Sequence, residues 1–256
     1  MIISDTSQLM IIAICTAAFI FLALRFKALT VSGTVSAVVL GLSVISFAGI
    51  KAIWPLVLFL GGSLMLGRIE TENSIRSDAK NGRPRDLMQV FSNGGIYGLA
   101  ACIYAITQDY HFLICMGVSI SISTCDTWSS EAGIRFSSRT FDPFRFRKVS
   151  PGVSGGISLA GTLTGILGAG IMSLMTCFLF DLISDHLLIF TGGITGMFLD
   201  SFLGSRLQKK YLDSQTNEWV DSAKTYSDEQ GLSFVTNDMV NMLSNFITTA
   251  IFYFVA

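Results

Sequence analysis

Asp126 and Glu131 are the side chains best placed to do chemistry. They stand in Ser123-Thr124-Cys125-Asp126-Thr127-Trp128-Ser129-Ser130-Glu131-Ala132-Gly133, at the end of an apolar run from Phe112 to Cys125. Two further acids occupy similar places: Asp200 follows Ile194-Thr195-Gly196-Met197-Phe198-Leu199, and Asp238 opens the last apolar run. An ionised carboxylate at the end of a membrane helix is costly unless it faces a cavity, a cation or a basic partner, so such groups mark functional sites. Four of them at the ends of apolar segments point to a site for metal and phosphate rather than to a lipid-exposed surface. On one ideal helix, residues five apart lie about 140° apart. Asp126 and Glu131 are therefore expected to flank a helix end or a break. The plainer reading of Glu131 is a helix cap with a salt bridge to Arg135 or Arg139.

Three other patterns surround these acids. Gly152-Val153-Ser154-Gly155-Gly156 leads into a helix expected to start near Ile157. A glycine-rich turn at a helix N-terminus offers backbone N–H groups and a positive dipole end, which suits phosphate. No Gly-Lys-Ser/Thr follows, so this is not a Walker A loop. Arg145, Arg147 and Lys148 precede it and would hold further phosphate oxygens. Asn237, Asn241 and Asn245 recur every four residues beside Asp238; the first two are read as lining a site with Asp238, and the deeper Asn245 as structural. Lys80, Arg83 and Arg85 come before Gln89 and Asn93. Basic residues at such a place often meet lipid headgroups, but the polar run through Gln89 and Asn93 into an apolar segment points toward a site. The phosphate or nucleotide candidates are thus Lys80, Arg83, Asn93, Arg147, Lys148, Gly155, Gly156, Asn237 and Asn241.

The elements that must position these groups are membrane helices. The chain of 256 residues is 51% apolar and only 14% charged, where a soluble domain has roughly 25% charged residues. Eight apolar segments can be marked, at 8–24, 29–50, 52–67, 95–107, 111–125, 157–180, 187–205 and 239–256. The fourth and fifth are shorter than the roughly 20 residues that span a bilayer, which leaves six to eight spans, with that pair crossing or re-entrant. With the N-terminus outside, the inside loops near 25–28, 68–94, 126–156 and 206–238 carry sixteen of the seventeen Lys and Arg; only Lys51 falls outside. The positive-inside rule supports this arrangement. It places the acids on the cytoplasmic side and His111 and His186 on the outer side.

The expected fold is therefore an all-α, polytopic helical bundle, one membrane domain of residues 1–256 with three working cytoplasmic loops. Met1–Ser7 has no basic start and includes Asp5, so the first segment reads as an N-out anchor rather than a cleaved signal. Gly161, Gly165 and Ala169 share a face, as do Gly192 and Gly196, and small residues at this spacing let membrane helices approach closely. The five cysteines lie in apolar runs without paired spacing and read as packing residues. Tyr211 to Gly231 is expected to form a short surface helix or a loose loop.

Taken together, these motifs resemble the membrane family known as domain of unknown function 92, or the transmembrane protein 19 family. The markers are Leu29-Thr30-Val31-Ser32-Gly33, Gly82-Arg83-Pro84-Arg85-Asp86-Leu87-Met88-Gln89-Val90 with Asn93-Gly94-Gly95, and Asp126-Thr127-Trp128-Ser129-Ser130-Glu131-Ala132-Gly133. They continue with Gly155-Gly156-Ile157-Ser158-Leu159-Ala160-Gly161-Thr162, Asp200-Ser201-Phe202-Leu203-Gly204 and Asn237-Asp238-Met239-Val240-Asn241. One departure falls at Pro84 and Arg85, where many relatives carry Asn or Asp. The family includes plant phytyl phosphate kinase, and related membrane kinases of dolichol and phytol often use CTP. The resemblance implies an enzyme, a prenyl (phytyl-type) phosphate kinase acting on an isoprenoid alcohol monophosphate, with a nucleoside triphosphate (CTP or ATP, CTP favoured) as co-substrate. Mg²⁺ takes one or two carboxylates plus phosphate oxygens and water, and Asp126 with Glu131, Asp200 or Asp238 would supply them. Membrane lipids are expected partners and nucleic acid is not; the location would be the plasma membrane in a bacterium. Two alternatives stay open: a CTP-dependent nucleotidyltransferase on a lipid phosphate, and a transporter or flippase of a lipid phosphate.

Overall fold

The computed structural model describes residues 6–72, 84–137, 139–215, 217–221 and 225–256. Among them are eight α-helices: α1 (Thr6–Arg25), α2 (Val31–Ala48), α3 (Ile53–Gly67), α4 (Leu87–Thr107), α5 (His111–Phe136), α6 (Leu159–Phe180), α7 (His186–Leu207) and α8 (Asn237–Val255). Six segments are long and apolar enough to cross a membrane, those containing α2 to α7; α1 holds a shorter apolar stretch, Leu9–Arg25. The two segments left ambiguous by hydropathy belong to α4 and α5, with 21 and 26 residues. At 1.5 Å per residue these are about 31 and 39 Å long, enough for a hydrocarbon core of roughly 30 Å. They look short in the sequence because their cytoplasmic turns carry Gln89, Ser92, Asn93 and the stretch Asp126–Glu131, which are polar yet helical.

Helix α5 is the axis of the bundle. Every residue from Ile114 to Cys125 is buried, the mark of a helix surrounded by others rather than amphipathic. The small-residue stripes on α6 and α7 explain how its neighbours come so close. A Cβ on Gly165 would lie 2.7 Å from the Cys125 carbonyl oxygen, and one on Gly196 would lie 2.5 Å from the Ile122 side chain. Among the described residues the peripheral α1 packs chiefly on α2 and turns Met10, Ile14 and Phe21 outward, as a lipid-facing helix would. Polar staples run beneath the cytoplasmic end. Asn245 donates to the Ser119 carbonyl at 3.0 Å and to Ser123 Oγ at 2.9 Å, and Ser123 Oγ donates to the Asn93 carbonyl at 2.7 Å. Asn245 is thus the structural member of the asparagine stripe, tying α8 to α5. The five cysteines are free; Cys115, Cys125 and Cys177 are buried and Cys15 is exposed.

Side-chain caps set where four of the helices begin. Thr30, Ser158 and Thr236 each accept from the N–H three residues on, and Asp86 forms a capping box with Gln89. Such caps satisfy N–H groups that a helix start leaves unpaired. Above these ends lie two small antiparallel sheets. Strands β1 (Thr140–Asp142) and β2 (Arg147–Val149) form a hairpin. Strands β3 (Lys210–Asp213), β4 (Trp219–Val220) and β5 (Tyr226–Gln230) form a sheet in the order β4-β3-β5. The expectation of a helix or loose loop over Tyr211–Gly231 is thereby corrected. Tyr211, Trp219, Val220 and Tyr226 favour a pleated surface, and the sheet has a cover: Arg147 of the hairpin lies over the Trp219 ring, 3.9 Å from its centroid.

Candidate active site

One end of the bundle, the end rich in Lys and Arg, opens into a cleft of about 340 Å³, bounded by the first turns of α4 and α8, the last turns of α5 and α7, and the glycine-rich turn before α6. All four candidate acids line it, and so do Asn93, Gly155, Gly156, Asn237 and Asn241. Lys80 and Arg83 lie outside the described residues. Arg147 and Lys148 do not reach the cleft wall. Arg147 is instead taken up by the Trp219 ring and by Gln230, to which it donates at 3.2 Å. Lys148 is exposed on β2, opposite Phe141.

The relation of Asp126 to Glu131 differs from expectation. No helix end or break separates them; α5 runs unbroken through both to Phe136. They meet one cavity because the cavity is wide. At 100° per residue, the lining positions Ser129, Gly133, Asp126, Ser130, Ile134, Thr127 and Glu131 cover a sector of about 200° around the helix. The opposite sector carries Trp128, Ala132 and Arg135, all buried. Asp126 sits ten residues before the end of α5, about 15 Å down its axis, so the cleft floor lies well below the cytoplasmic tip of that helix.

Each acid is held differently. Glu131 accepts from Arg135 at 2.6 Å, one turn on. Arg135 is 3% exposed and also donates to the Ile69 carbonyl at 2.9 Å and to the Gly67 carbonyl, which caps the end of α3. The salt bridge to Arg135 anticipated for Glu131 is therefore present, and Glu131 still lines the cleft. Asp200 is 8% exposed and is gripped by α8: Ser244 Oγ donates to its Oδ2 at 2.9 Å. The Asn241 amide, turned with its nitrogen toward the acid, donates to the same oxygen at 3.0 Å. Asp126 closes the floor, and Asp238 stands in the first turn of α8. The glycine-rich turn packs tightly. Gly155 has φ +79° and its missing Cβ would lie 2.6 Å from Ser205, so only glycine fits there. The helix after it begins at Leu159, with Ile157 bridged to Phe141. The N–H groups of Ser154 and Gly156 are already committed, to the Asp221 carboxylate and the Val153 carbonyl.

Arg85 was absent from the candidate set, yet it is the one cation among the described residues that line the cleft. Burial pushes its guanidinium below the ordinary arginine range, and the nearby Glu131 carboxylate opposes that shift. The signal that could have found it is its place immediately before the capping residue Asp86, which puts it at the mouth of α4. Four carboxylates against one described cation make this a cleft that favours cations. Among the described residues no histidine or cysteine lines it. Among the described residues no three His, Cys, Asp or Glu side chains form a ready-made metal cage. Hard oxygen donors without a full protein cage match Mg²⁺, which completes its shell with phosphate oxygens and water.

Residues 14–249 match the family described as Integral membrane protein DUF92. The chain belongs to that family. It is a multi-pass integral membrane protein. It is 30% identical over 189 residues to Uncharacterized membrane protein MJ0933 of Methanocaldococcus jannaschii, covering 73% of this chain and 77% of that one. It is 24% identical over 276 residues to Protein PGR of Arabidopsis thaliana, covering 96% of this chain and 95% of the plant protein. No solved structure matches.

Proposed function

We propose that the chain is a membrane phosphotransferase that carries the terminal phosphoryl group of a nucleoside triphosphate, CTP in preference to ATP, to an isoprenoid alcohol monophosphate. The observation that carries the reading is one cleft at the cytoplasmic helix ends, lined by Asp126, Glu131, Asp200 and Asp238 together with Asn237 and Asn241. The motif resemblance to a family that includes plant phytyl phosphate kinase supplies the substrate class. A lipid phosphate would keep its tail among the helices and bring its phosphate to this level, and a nucleotide would arrive from the cytoplasm.

In the reaction, an oxygen of the acceptor phosphate forms a bond to the γ-phosphorus while the bond from γ-phosphorus to the β-bridging oxygen breaks. The products are a lipid diphosphate and a nucleoside diphosphate. The acceptor is already anionic, so no strong general base is needed; catalysis rests on positioning and on neutralising charge. Mg²⁺, held by Asp126 with Glu131, Asp200 or Asp238, would neutralise phosphate charge that the acids alone would repel. Asp200 is fixed by Ser244 and Asn241, and Glu131 by Arg135, so the cleft is organised before substrate arrives.

Nucleotidyl transfer would draw on the same acids, and product analysis separates the two. Incubation with farnesyl monophosphate and CTP should release CDP; release of pyrophosphate, with the CMP group joined to the lipid phosphate, would refute phosphoryl transfer. Transport is less well supported by the interior. The acids cluster at one end of the bundle, and toward the other end the buried hydroxyls of Ser173 and Thr176 are spent on backbone carbonyls among Ile114, Val118, Ile189 and Phe252.

A further inference from the structure

The backbone of Arg85 is fixed from both sides. Its N–H donates to the Ala28 carbonyl at 3.1 Å and its carbonyl accepts from the Thr30 N–H at 2.9 Å. A Cβ on Gly33 would come within 2.2 Å of that same carbonyl oxygen. The start of α2 and the capped start of α4 thus hold Arg85 at the cytoplasmic boundary, and its side chain has one direction left. An arginine at such a boundary normally extends its charged head toward water or headgroups. Arg85 does the reverse. Its guanidinium carbon lies 5.5 Å from the centroid of the Phe59 ring. Phe59 is 8% exposed and sits eight residues before the end of α3, about 12 Å down its axis.

The guanidinium therefore lies on the cleft wall below the mouth, with its charge over an aromatic ring. Cation–π contact of this kind leaves the edge N–H groups directed elsewhere. Among the described residues they meet no acceptor: Glu131 is paired with Arg135, and the contact made by the Arg85 head is the one to Phe59. Arginine stays protonated in proteins. Arg85 is half-buried on the cleft wall and Glu131, the nearest carboxylate acting on it, is engaged by Arg135, so the guanidinium donors remain available to an anion that enters the cleft. A planar fork of donors matches two oxygens of a phosphate. A carboxylate-rich cleft with one guanidinium on its wall would hold a phosphate at that point and cations around it.

We propose that Arg85 is a phosphate-binding residue on the wall of the cleft, gripping a phosphate ester by its guanidinium edge. The proposal rests on the phosphotransfer reading for the identity of the two esters on offer, the lipid monophosphate and the nucleotide.

The test measures binding rather than turnover. Purified protein in detergent is titrated with farnesyl monophosphate, with CTP and with inorganic pyrophosphate, for wild type, Arg85→Gln and Arg85→Lys. Loss of a bidentate charged contact should weaken the affected ligand by about 10–100-fold, with Arg85→Lys recovering part of the loss. A loss confined to farnesyl monophosphate assigns the residue to the lipid ester, and a loss confined to CTP assigns it to the nucleotide. Unchanged affinity for all three, or no binding of any of them by wild type, overturns the proposal. In case the variants fold poorly, wild-type protein is treated with phenylglyoxal and the modified arginines are mapped by mass spectrometry. Protection of Arg85 by a phosphate ligand is expected, and equal modification with and without ligand overturns the proposal. Label transfer from γ-labelled CTP is followed separately. Arg85-dependent binding without transfer would refute the kinase reading alone, and transfer with Arg85-independent binding would refute this proposal alone.

Discussion

Replacing Arg135 with methionine should unseat the end of α3, whereas replacing its partner Glu131 with glutamine should leave the fold nearly intact. Arg135 is 3% exposed. It donates to the Ile69 carbonyl at 2.9 Å, to the Glu131 carbonyl at 3.0 Å, to Glu131 Oε2 at 2.6 Å and to the Gly67 carbonyl. Hydrogen bonds from a charged donor contribute about 1.5–3 kcal/mol each. The contact to the Glu131 carboxylate faces the cleft, where water can replace it, and counts for less. The bonds to the carbonyls of Gly67, the last residue of α3, and of Ile69 just past it are lost outright. Methionine restores much of the aliphatic packing, which leaves a destabilisation of about 4 kcal/mol, within the range for breaking a buried pair. At about 2–4 °C per kcal/mol for a protein of this size, Tm should fall by about 8–16 °C. Glu131→Gln keeps the carbonyl bonds of Arg135 and should cost about 1 kcal/mol. A thiol-reactive dye suits the assay, because Cys115, Cys125 and Cys177 are buried in the bundle and become reactive on unfolding. If Arg135→Met melts within about 2 °C of wild type, or if Glu131→Gln melts as low, the division between a structural arginine and a chemical glutamate is wrong.

Gly62→Ala should displace Trp128, because a Cβ at Gly62 would lie 2.3 Å from the indole Cζ2; an overpacking cost of about 1–3 kcal/mol would show as a lower Tm and shifted tryptophan emission. Arg147→Ala should loosen the hairpin against the β4-β3-β5 sheet and speed proteolysis there, while the apparent affinity for nucleotide stays within about twofold; a large affinity loss would place Arg147 at the substrate after all. Burial pushes the Lys210 amine down to about 8, against the attraction of Asp142 and Asp221. Below about 8 this lysine is charged in both folded and unfolded chains. Between there and the ordinary value of 10.5 the folded protein has released a proton that the unfolded chain keeps, so stability rises with pH across that window. Tm of wild type relative to Lys210→Met should therefore climb from pH 8 to pH 10; a flat or falling difference would contradict the buried, depressed amine.

The bundle was legible because its causes are local. Apolar runs mark the helices, and Thr30, Asp86, Ser158 and Thr236 mark the starts of four of them. The stripe of Gly161, Gly165 and Ala169 reads directly as a contact face, since backbone approach needs small residues wherever the partner lies. The four acids and Asn237, Asn241 were legible because polar groups at apolar helix ends need a cavity. What the sequence hides is how far a helix continues once its residues turn polar. Hydropathy stops at Cys125, while α5 goes on to Phe136, because the residues after Cys125 face a wet cleft on one side and Arg135 is paired on the other. Arg85 and Arg147 look alike in sequence, as basic residues near a cytoplasmic helix end. Their fates depend on Phe59 and Trp219, aromatic rings 26 and 72 residues away in the chain, which no local pattern reports.

The central claim is tested most directly by label transfer. Wild-type protein and Asp126→Asn are incubated in detergent with Mg²⁺, γ-labelled CTP or ATP, and phytyl, geranylgeranyl or farnesyl monophosphate, after both are shown to melt alike. The account predicts label in a lipid diphosphate with wild type and its loss with Asp126→Asn. Full transfer by Asp126→Asn, or no transfer by wild type with any pairing, would contradict it.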